Sequence, residues 1–255
     1  MRVLVLSQHF WPESFRINDV VESLIKVKCD VTVLTGQPNY PEGSIFEGFS
    51  ASGAGLHTHA HGYSIFRVPL IPRGRGGGMR LALNYLSFLL SATLMGPWLL
   101  RRHKFDVVFV YGTSPILQVI PAIWIAFLKR AKLVTWVQDL WPQSLEVTGF
   151  VRNKQLLSAV GHVVRWIYRR NDLLLVQSRA FVDQVASMAG SIPVRYHPNP
   201  GDNPQADSPL PRSGALILKA GFNVVFAGNL GKVQALDTVL DAAEMLLHET
   251  ALRFV

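Results

Sequence analysis

Short apolar runs rich in β-branched residues recur along the first 200 residues, and helical patterns separate them. This alternation is typical of strands joined by helical crossovers, which leave neighbouring strands parallel in one sheet. Because the runs lack polar alternation, helices are expected to cover both faces of that sheet. The sequence therefore predicts an α/β fold with a Rossmann-like, doubly wound parallel sheet, whose seven strands are 2–6, 31–35, 64–69, 106–111, 132–137, 172–177 and 194–197.

The helices between these strands are predicted from apolar residues at helical spacing or from longer apolar runs. They are expected at 15–27, 81–100, 115–129, 153–170 and 178–189. The Gly- and Pro-rich stretch between residues 36 and 63 is interpreted as irregular.

A proline-rich segment interrupts this pattern, with five prolines in residues 198–212, as is typical of a linker. After it, a strand at 223–227, a helix at 236–248 and a strand at 252–255 begin a second α/β unit. We therefore expect an N-terminal domain at 1–200, a linker at 201–222 and the start of a second domain at 223–255. Since one β-α-β unit cannot cover both faces of its sheet, we expect the second domain to be incomplete in this sequence.

Composition and missing motifs exclude several classes of protein. The 25 basic and 17 acidic residues give a net charge of +8, which favours anionic ligands such as phosphates, nucleotides or acidic lipids. The single cysteine, Cys29, excludes an internal disulfide and a multi-cysteine zinc site. The first predicted loop lacks G-x-G-x-x-G, so a nicotinamide or flavin cofactor is not expected, and the chain contains no P-loop and no G-x-S-x-G elbow.

Polar and aromatic residues follow the predicted strands directly, at the edge where open parallel sheets bind ligands. They form six segments, at 7–13, 35–40, 112–115, 138–143, 177–178 and 198–199. Each segment alone is consistent with ordinary loop and helix-cap chemistry. Six of them on one edge indicate a cleft, with Tyr40, Ser114, Gln138 and Asn199 as candidate substrate-binding residues.

Three histidines, His57, His59 and His61, are spaced two apart in a glycine-flanked loop. Alternation in an extended loop would place them on one side, as ligands of a metal ion. No carboxylate lies close to them in the sequence, so we interpret the segment as a solvated loop and predict no metal site.

An arginine- and glycine-rich loop precedes the most apolar helix. Its residues Arg73, Arg75 and Arg80 suit a phosphate group, and a flexible loop with solvated arginines is the equally good alternative. The helix at 81–100 is long enough for a membrane span, but Asn84, three hydroxyl residues and a Gly-Pro pair favour a buried helix or one resting on a membrane surface. A basic loop beside an apolar helix suits an anion with a lipid tail, so we expect peripheral attachment to an anionic membrane.

Several segments carry a family resemblance and occur in order over nearly all of the chain: VLSQHFWPESFRI, VTVLTGQPNYPEG, NYLSFLLSA, SPILQ, VQDLWPQSLEVTGF, RWIYRRND, HPN and FAGNLGKVQALDTVLDAA. With them the chain resembles GT-B glycosyltransferases of family 4, in the branch that makes colanic acid, O-antigen and related bacterial exopolysaccharides. The resemblance implies an acceptor-binding N-terminal domain and a C-terminal domain that binds the nucleotide-sugar donor. It also implies retaining transfer to a polyprenyl-diphosphate-linked acceptor, in lipopolysaccharide-type synthesis, by a cytoplasmic protein peripheral on the inner face of the plasma membrane. No cofactor is implied, because the nucleotide sugar is a substrate.

The resemblance also assigns roles to individual residues, with departures from the family pattern. Arg16, a fifth candidate substrate-binding residue, stands in a loop where many members have a Gly pair near the donor phosphate, and Gln138-Asp139 stands where many have His-Asp. A Glu pair that binds the donor in the family would lie beyond the last residue of this sequence. The donor-phosphate residues are expected to be Asn229, Lys232 and Gln234.

Glycosyl transfer places negative charge on the leaving diphosphate and requires the acceptor hydroxyl to lose a proton. We expect Lys232 and Arg16 to face the leaving group, and Asp139, after a central strand, to act as the base, with Glu13 on the first loop as its rival. We expect the 255-residue chain to be inactive on its own. The alternatives are a nucleotide-sugar 2-epimerase of the same GT-B class and a non-catalytic fragment or binding module. Nucleic acid is not an expected partner, because no recognised motif organises the basic residues.

Overall fold

A computed structural model describes residues 1–74, 77–147, 153–201, 218, 220–228 and 234–255. The chain divides into two units, one made of Met1–Glu146 and Phe150–Pro200 and the other of Gly201–Val255 with Val147–Gly149. The predicted linker at 201–222 falls mostly outside the described residues. The predicted domain boundaries therefore stay predictions.

The first unit is built on one sheet of eight strands. These are β1 (Arg2–Leu6), β2 (Asp30–Thr35), β3 (Gly55–Thr58), β4 (Ser64–Arg67), β5 (Val107–Gly112), β6 (Lys132–Val137), β7 (Leu173–Val176) and β8 (Val194–Tyr196). Their order is β3-β4-β2-β1-β5-β6-β7-β8, and every pairing is parallel except that of β3 with β4. The predicted α/β fold with a Rossmann-like sheet is confirmed.

The additional strand, β3, is an antiparallel edge strand that the sequence pattern does not predict. It pairs with β4 from Gly55 opposite Arg67 to Thr58 opposite Ser64. Three of its four residues are exposed, so it lacks the apolar run that signals a buried strand. The stretch between residues 36 and 63 is therefore not wholly irregular.

The predicted helices of the first unit are all present, with shifted ends. The described helices are α1 (Arg16–Lys26), α2 (Gly78–Leu99), α3 (Val119–Lys129), α4 (Gln143–Val147), α5 (Lys154–Tyr168) and α6 (Phe181–Ala189). The helix predicted at 115–129 opens with a 3-10 turn, Ile116–Gln118, before α3. The short α4 is not predicted, because five residues are too few to show a helical period.

Both faces of the sheet are buried, as the lack of polar alternation predicts. In β1, Val3 and Val5 enter one core together with residues of α1, whereas Leu4 and Leu6 enter the other with residues of α2 and α3. All four side chains are at most 2% exposed. The loops at the carboxyl edge therefore extend from strands whose two faces are both buried.

The helix α2 packs on the sheet by one face only. Its buried residues are spaced four apart and are Asn84, Phe88, Ala92 and Gly96. Its opposite face carries the exposed apolar residues Met79, Leu83, Leu86, Leu90, Leu94 and Trp98. Among the described residues, no helix combines the length and the apolar character needed to cross a membrane.

The second unit, in its described part, has a β-α-β arrangement. β9 (Phe222–Val224) pairs in parallel with β10 (Leu252–Phe254), and α7 (Leu236–Met245) lies between them in the sequence. The three elements occur in the predicted order and are shorter than predicted. No residue of α7 is buried.

Candidate functional site

The carboxyl edge of the large sheet brings four loops together. The loops after β2, β1, β5 and β6 are neighbours there because these strands are adjacent and parallel. Tyr40 follows β2, Ser114 follows β5, and Gln138 and Asp139 follow β6. This edge therefore gathers most of the residues predicted to bind substrate.

Glu13, in the loop after β1, is buried and surrounded by hydrogen-bond donors. Its Oε1 accepts from the backbone amides of Asn39 at 2.8 Å and Tyr40 at 2.7 Å, and its Oε2 accepts from the amide of Phe10 at 3.1 Å. The Nδ1 of His9 lies 3.0 Å from Oε1. A carboxylate held by this many donors links the loops after β1 and β2 strongly. The geometry suits a positioning role, and the role of Glu13 as a rival base stays a prediction.

His9 is a site residue that the loop pattern does not predict. It is 5% exposed, and its ring stacks on Phe15 with 5.1 Å between centroids and 11° between planes. While Nδ1 faces Glu13, Nε2 makes no hydrogen bond to any described residue. An imidazole oriented by a carboxylate through one nitrogen and open at the other can accept a proton from a hydroxyl. The two residues are four apart in a loop and not on a helix, so their contact has no local sequence signal.

Arg67, at the end of β4, is fully buried beside the same loop. Its guanidinium donates to the backbone carbonyls of Gly36 and Trp11 and lies 4.8 Å from the centroid of the Phe49 ring. Burial lowers the pKa of Arg67 to about 10, and the charge of Glu13 opposes that shift. The Glu13 carboxylate is therefore a countercharge for a buried arginine.

Asp139 and Ser114 are in direct contact between the loops after β6 and β5. The Oδ2 of Asp139 accepts from the backbone amide of Ser114 at 2.8 Å and from its hydroxyl at 2.9 Å. That hydroxyl in turn accepts from Nε1 of Trp141 at 3.0 Å. Oδ1 of Asp139 makes no hydrogen bond to any described residue. The carboxylate is thus fixed by one oxygen and open at the other, as an acceptor for a substrate hydroxyl must be.

The charge of Asp139 contributes to the raised pKa of three tyrosines. Burial, together with this charge, raises the pKa of Tyr111 to about 12. Burial also raises the pKa of Tyr85 and Tyr168, with a smaller contribution from Asp139. The shifts thus reflect the burial of all three tyrosines in the part of the unit that holds the Asp139 carboxylate.

Gln138 and Asn199, two predicted binding residues from distant segments, meet side by side. The Nδ2 of Asn199 donates to Oε1 of Gln138 at 2.8 Å. Gln138 is 8% exposed, and its Nε2 is buried without a hydrogen-bond partner among the described residues. A buried donor left unpaired costs roughly 1–3 kcal/mol. The predicted role of Gln138 in binding substrate stays a prediction.

A buried network of amide side chains lies in the same region and is not predicted from the sequence. Gln8 donates through Nε2 to Oδ1 of Asn84 at 2.7 Å, and its backbone amide donates to Oε1 of Gln118 at 2.9 Å. Asn84 Nδ2 donates to the carbonyl of Ile71 at 2.7 Å. The network ties the loop after β1 to α2 and to the 3-10 turn. It also leaves Oε1 of Gln8 as a buried acceptor with no partner among the described residues.

The predicted cationic residues differ in where they lie. The Arg73 guanidinium is 5.0 Å from the centroid of the Tyr40 ring, so Arg73 borders the loop after β2. Arg80 is exposed in the first turn of α2, and Arg75 lies outside the described residues. Arg16 begins α1 and donates to an aspartate of its own helix at 3.3 Å.

The predicted donor-phosphate residues belong to the second part of the chain. Asn229 and Lys232 lie outside the described residues, and Gln234 is exposed just before α7. The roles of all three stay predictions.

Solved structures with the same kind of fold are GT-B glycosyltransferases. UGT89C1 from Arabidopsis thaliana complexed with UDP aligns with a TM-score of 0.53 and 13% identity over 99% of this chain and 63% of that chain. Its quercetin complex aligns with a TM-score of 0.55 and 12% identity over 95% and 63%. A sucrose-phosphate synthase structure from Thermosynechococcus elongatus aligns with a TM-score of 0.47 and 10% identity over 80% of this chain and 91% of that chain.

The chain spans about 63% of the length of the UGT89C1 structures, and a likeness at this identity shows the fold alone. No curated protein matches the sequence. The family called Glycosyl transferase 4-like domain matches residues 14–200, which is most of the chain and includes Asp139 and the five predicted substrate-binding residues. The chain therefore belongs to the glycosyl transferase 4-like domain family.

Proposed function

We propose that this chain is the acceptor-binding part of a retaining glycosyltransferase that moves a sugar from a nucleotide sugar to a polyprenyl-diphosphate-linked acceptor. Its place would be in cell-surface polysaccharide synthesis of the colanic-acid and O-antigen type. The observation that carries the proposal is the arrangement at one sheet edge of an open carboxylate oxygen on Asp139 and an unpaired amide on Gln138. An acceptor sugar, rich in hydroxyl groups, has the chemistry that satisfies both.

Transfer breaks the bond between the anomeric carbon and a diphosphate oxygen, and forms a bond from that carbon to the acceptor oxygen on the same face, as retention requires. The leaving diphosphate takes the electron pair and needs cations nearby, for which Arg16 and Lys232 are the proposed residues. The acceptor hydroxyl gives its proton to Oδ1 of Asp139, because Oδ2 is already held by Ser114. Gln138 would turn its buried Nε2 outward and donate to an oxygen of the same sugar.

The loop after β1 offers a second proton acceptor, His9. Its open Nε2 and its Nδ1 contact with Glu13 support this assignment. In this second assignment, Glu13 is not the base itself. It orients the imidazole, and His9 receives the proton. Asp139 remains the first assignment, since it contacts Ser114 and lies beside Gln138 in the chain.

The lipid part of the acceptor is proposed to lie along the exposed apolar faces of α2 and α3. Leu94, Trp98 and Phe127 are 74%, 61% and 72% exposed. Apolar faces of this kind mark interaction surfaces, whereas single exposed apolar residues are ordinary. The Arg101 guanidinium lies 4.3 Å from the centroid of the Trp98 ring, so a cation borders the apolar face. This combination favours an anionic membrane surface, which a nucleotide-sugar 2-epimerase would not need.

The test is sugar transfer by the purified full-length protein. Radiolabelled nucleotide sugars are incubated with membranes that contain polyprenyl-diphosphate-linked sugars, and the lipid extract is counted. Asp139→Asn should lower turnover by about two orders of magnitude, the size of general-base assistance, with little change in donor affinity. Asp183→Asn, an exposed position on α6, is the matched control and should keep wild-type turnover.

Three outcomes distinguish the assignments. Label in the lipid extract that is lost in Asp139→Asn supports both the reaction and the base. Wild-type turnover in Asp139→Asn with loss in His9→Gln moves the base to His9. A new nucleotide-sugar epimer with no labelled lipid overturns the transferase proposal in favour of the 2-epimerase.

A further inference from the structure

Glu22, His59 and His61 come together outside the candidate site. Glu22 lies on α1, and the two histidines lie in the turn that joins β3 to β4. One ligand atom from each residue lies within 4.8 Å of those of the other two. The sequence places no carboxylate near these histidines, but the fold supplies one from a helix.

The turn that carries the two imidazoles is held in place by backbone hydrogen bonds. The His59 amide donates to the Tyr63 carbonyl at 3.0 Å, and the Gly62 amide donates to the His59 carbonyl at 2.8 Å. Gly62 has a φ of +84°, which favours glycine and closes the turn. The hairpin therefore presents its side chains from a fixed backbone.

The His59 ring is also packed between aromatic neighbours. It stacks on Tyr63 with 4.5 Å between centroids, and the Trp11 ring meets it edge-on at 5.0 Å. These two ring contacts hold the His59 imidazole in place beside His61.

The contact of His61 with Glu22 shows that the β3–β4 hairpin and α1 are close enough to bind one ion together. The Nδ1 of His61 lies 2.7 Å from both carboxylate oxygens of Glu22. Zinc–nitrogen bonds of about 2.0–2.1 Å place tetrahedral ligands roughly 3.4 Å apart. Side-chain adjustments of roughly 1 Å would thus bring all three ligand atoms onto one ion.

We propose that Glu22, His59 and His61 form a binding site for Zn²⁺ or a similar first-row divalent cation. Two imidazoles and one carboxylate are the donors that such ions prefer, whereas Mg²⁺ and Ca²⁺ prefer oxygen donors alone. His61 also lines a cavity of about 630 Å³ at the amino edge of the sheet, so water can complete the coordination. The bound ion would cross-link the β3–β4 hairpin to α1.

The experiment uses the chain purified without a polyhistidine tag and stripped with a chelator. Zn²⁺ is titrated by calorimetry, and Co²⁺ is titrated by its visible absorption, which reports a tetrahedral site. We expect saturable binding of one ion and no binding of Mg²⁺. His59→Ala, His61→Ala and Glu22→Gln should each weaken Zn²⁺ binding at least tenfold.

His57→Ala is the matched control, because His57 lies on the same hairpin and faces Phe49 instead, with 5.8 Å between ring centroids. It should bind Zn²⁺ like the wild type. Zn²⁺ should also raise the Tm of the wild type and of His57→Ala but not that of Glu22→Gln, which keeps the test valid should His59→Ala fail to fold. Absence of saturable binding, or binding that survives in His61→Ala and Glu22→Gln alike, overturns the proposal.

Discussion

Replacing Glu13 with glutamine tests whether this carboxylate holds the loops after β1 and β2 together. The substitution keeps the size of the side chain but exchanges one acceptor oxygen for an NH₂ donor. In the wild type, Oε1 of Glu13 accepts from the backbone amides of Asn39 and Tyr40, and Oε2 accepts from the backbone amide of Phe10. Either orientation of the new amide places a donor against a buried donor, so at least one hydrogen bond is lost.

The magnitude follows from these contacts. A hydrogen bond to a charged group contributes about 1.5–3 kcal/mol, and leaving a buried donor unpaired costs about 1–3 kcal/mol. The remaining bonds weaken as the charge is lost, and Arg67 loses a buried countercharge. We expect Glu13→Gln to lower the free energy of unfolding by about 3 kcal/mol, or roughly 6–12 °C in Tm for a chain of this size.

Urea unfolding followed by tryptophan fluorescence measures this difference. Glu47→Gln, at an exposed position, is the matched control and should stay within about 0.5 kcal/mol of the wild type. If Glu13→Gln is as stable as Glu47→Gln, with an unchanged slope of unfolding free energy against urea, the carboxylate does not hold the loops and the reasoning is refuted.

Changing Leu90 and Leu94 to Glu on the exposed face of α2 should reduce flotation with anionic liposomes at least tenfold, and equal flotation would contradict the membrane proposal. The hydrogen bonds from Arg2 lower the pKa of Asp106 to about 2. This pair therefore stabilises the fold above the unfolded carboxyl pKa of about 4, and its contribution is lost as the pH falls toward 2. The urea midpoints of wild type and Asp106→Asn should thus differ at neutral pH and converge in acid; a constant difference would exclude this linkage. Gln138→Leu should weaken acceptor binding at least tenfold. Its Tm should change little, because the substitution removes both the unpaired Nε2 and the Oε1 that accepts from Asn199. Unaltered binding in calorimetry would contradict the role of Gln138.

The fold is predictable from the sequence where strands are buried on both faces. β1 and β6 match their predicted bounds because a continuous apolar run marks them. β3 is not predicted, because its side chains are mostly exposed and form no apolar run. It is held in the sheet by its pairing with β4. Its presence depends on a contact that no local pattern encodes.

The location of the site is predictable, but its internal contacts are not. Polar residues after parallel strands indicate the carboxyl edge. The pairing of Asp139 with Ser114, by contrast, depends on β6 lying beside β5, which the chain order alone does not fix. The approach of Glu22 to His61 joins segments 39 residues apart in the same way.

The two-sided burial of β1 also bears on how the strand finds its register. If β1 slipped by one residue, Val3 and Val5 would move to the face that Leu4 and Leu6 now occupy, and the two leucines would move to the other face. Both faces would still carry apolar side chains. Hydrophobicity therefore discriminates poorly between the two alignments. Polar contacts at and beyond the ends of the strand distinguish the two alignments: the Arg2 amide donates to Asp106, and Glu13 in the following loop accepts from the amides of Asn39 and Tyr40. Substitutions in this loop are therefore expected to disturb the alignment of β1 as well as the loop itself.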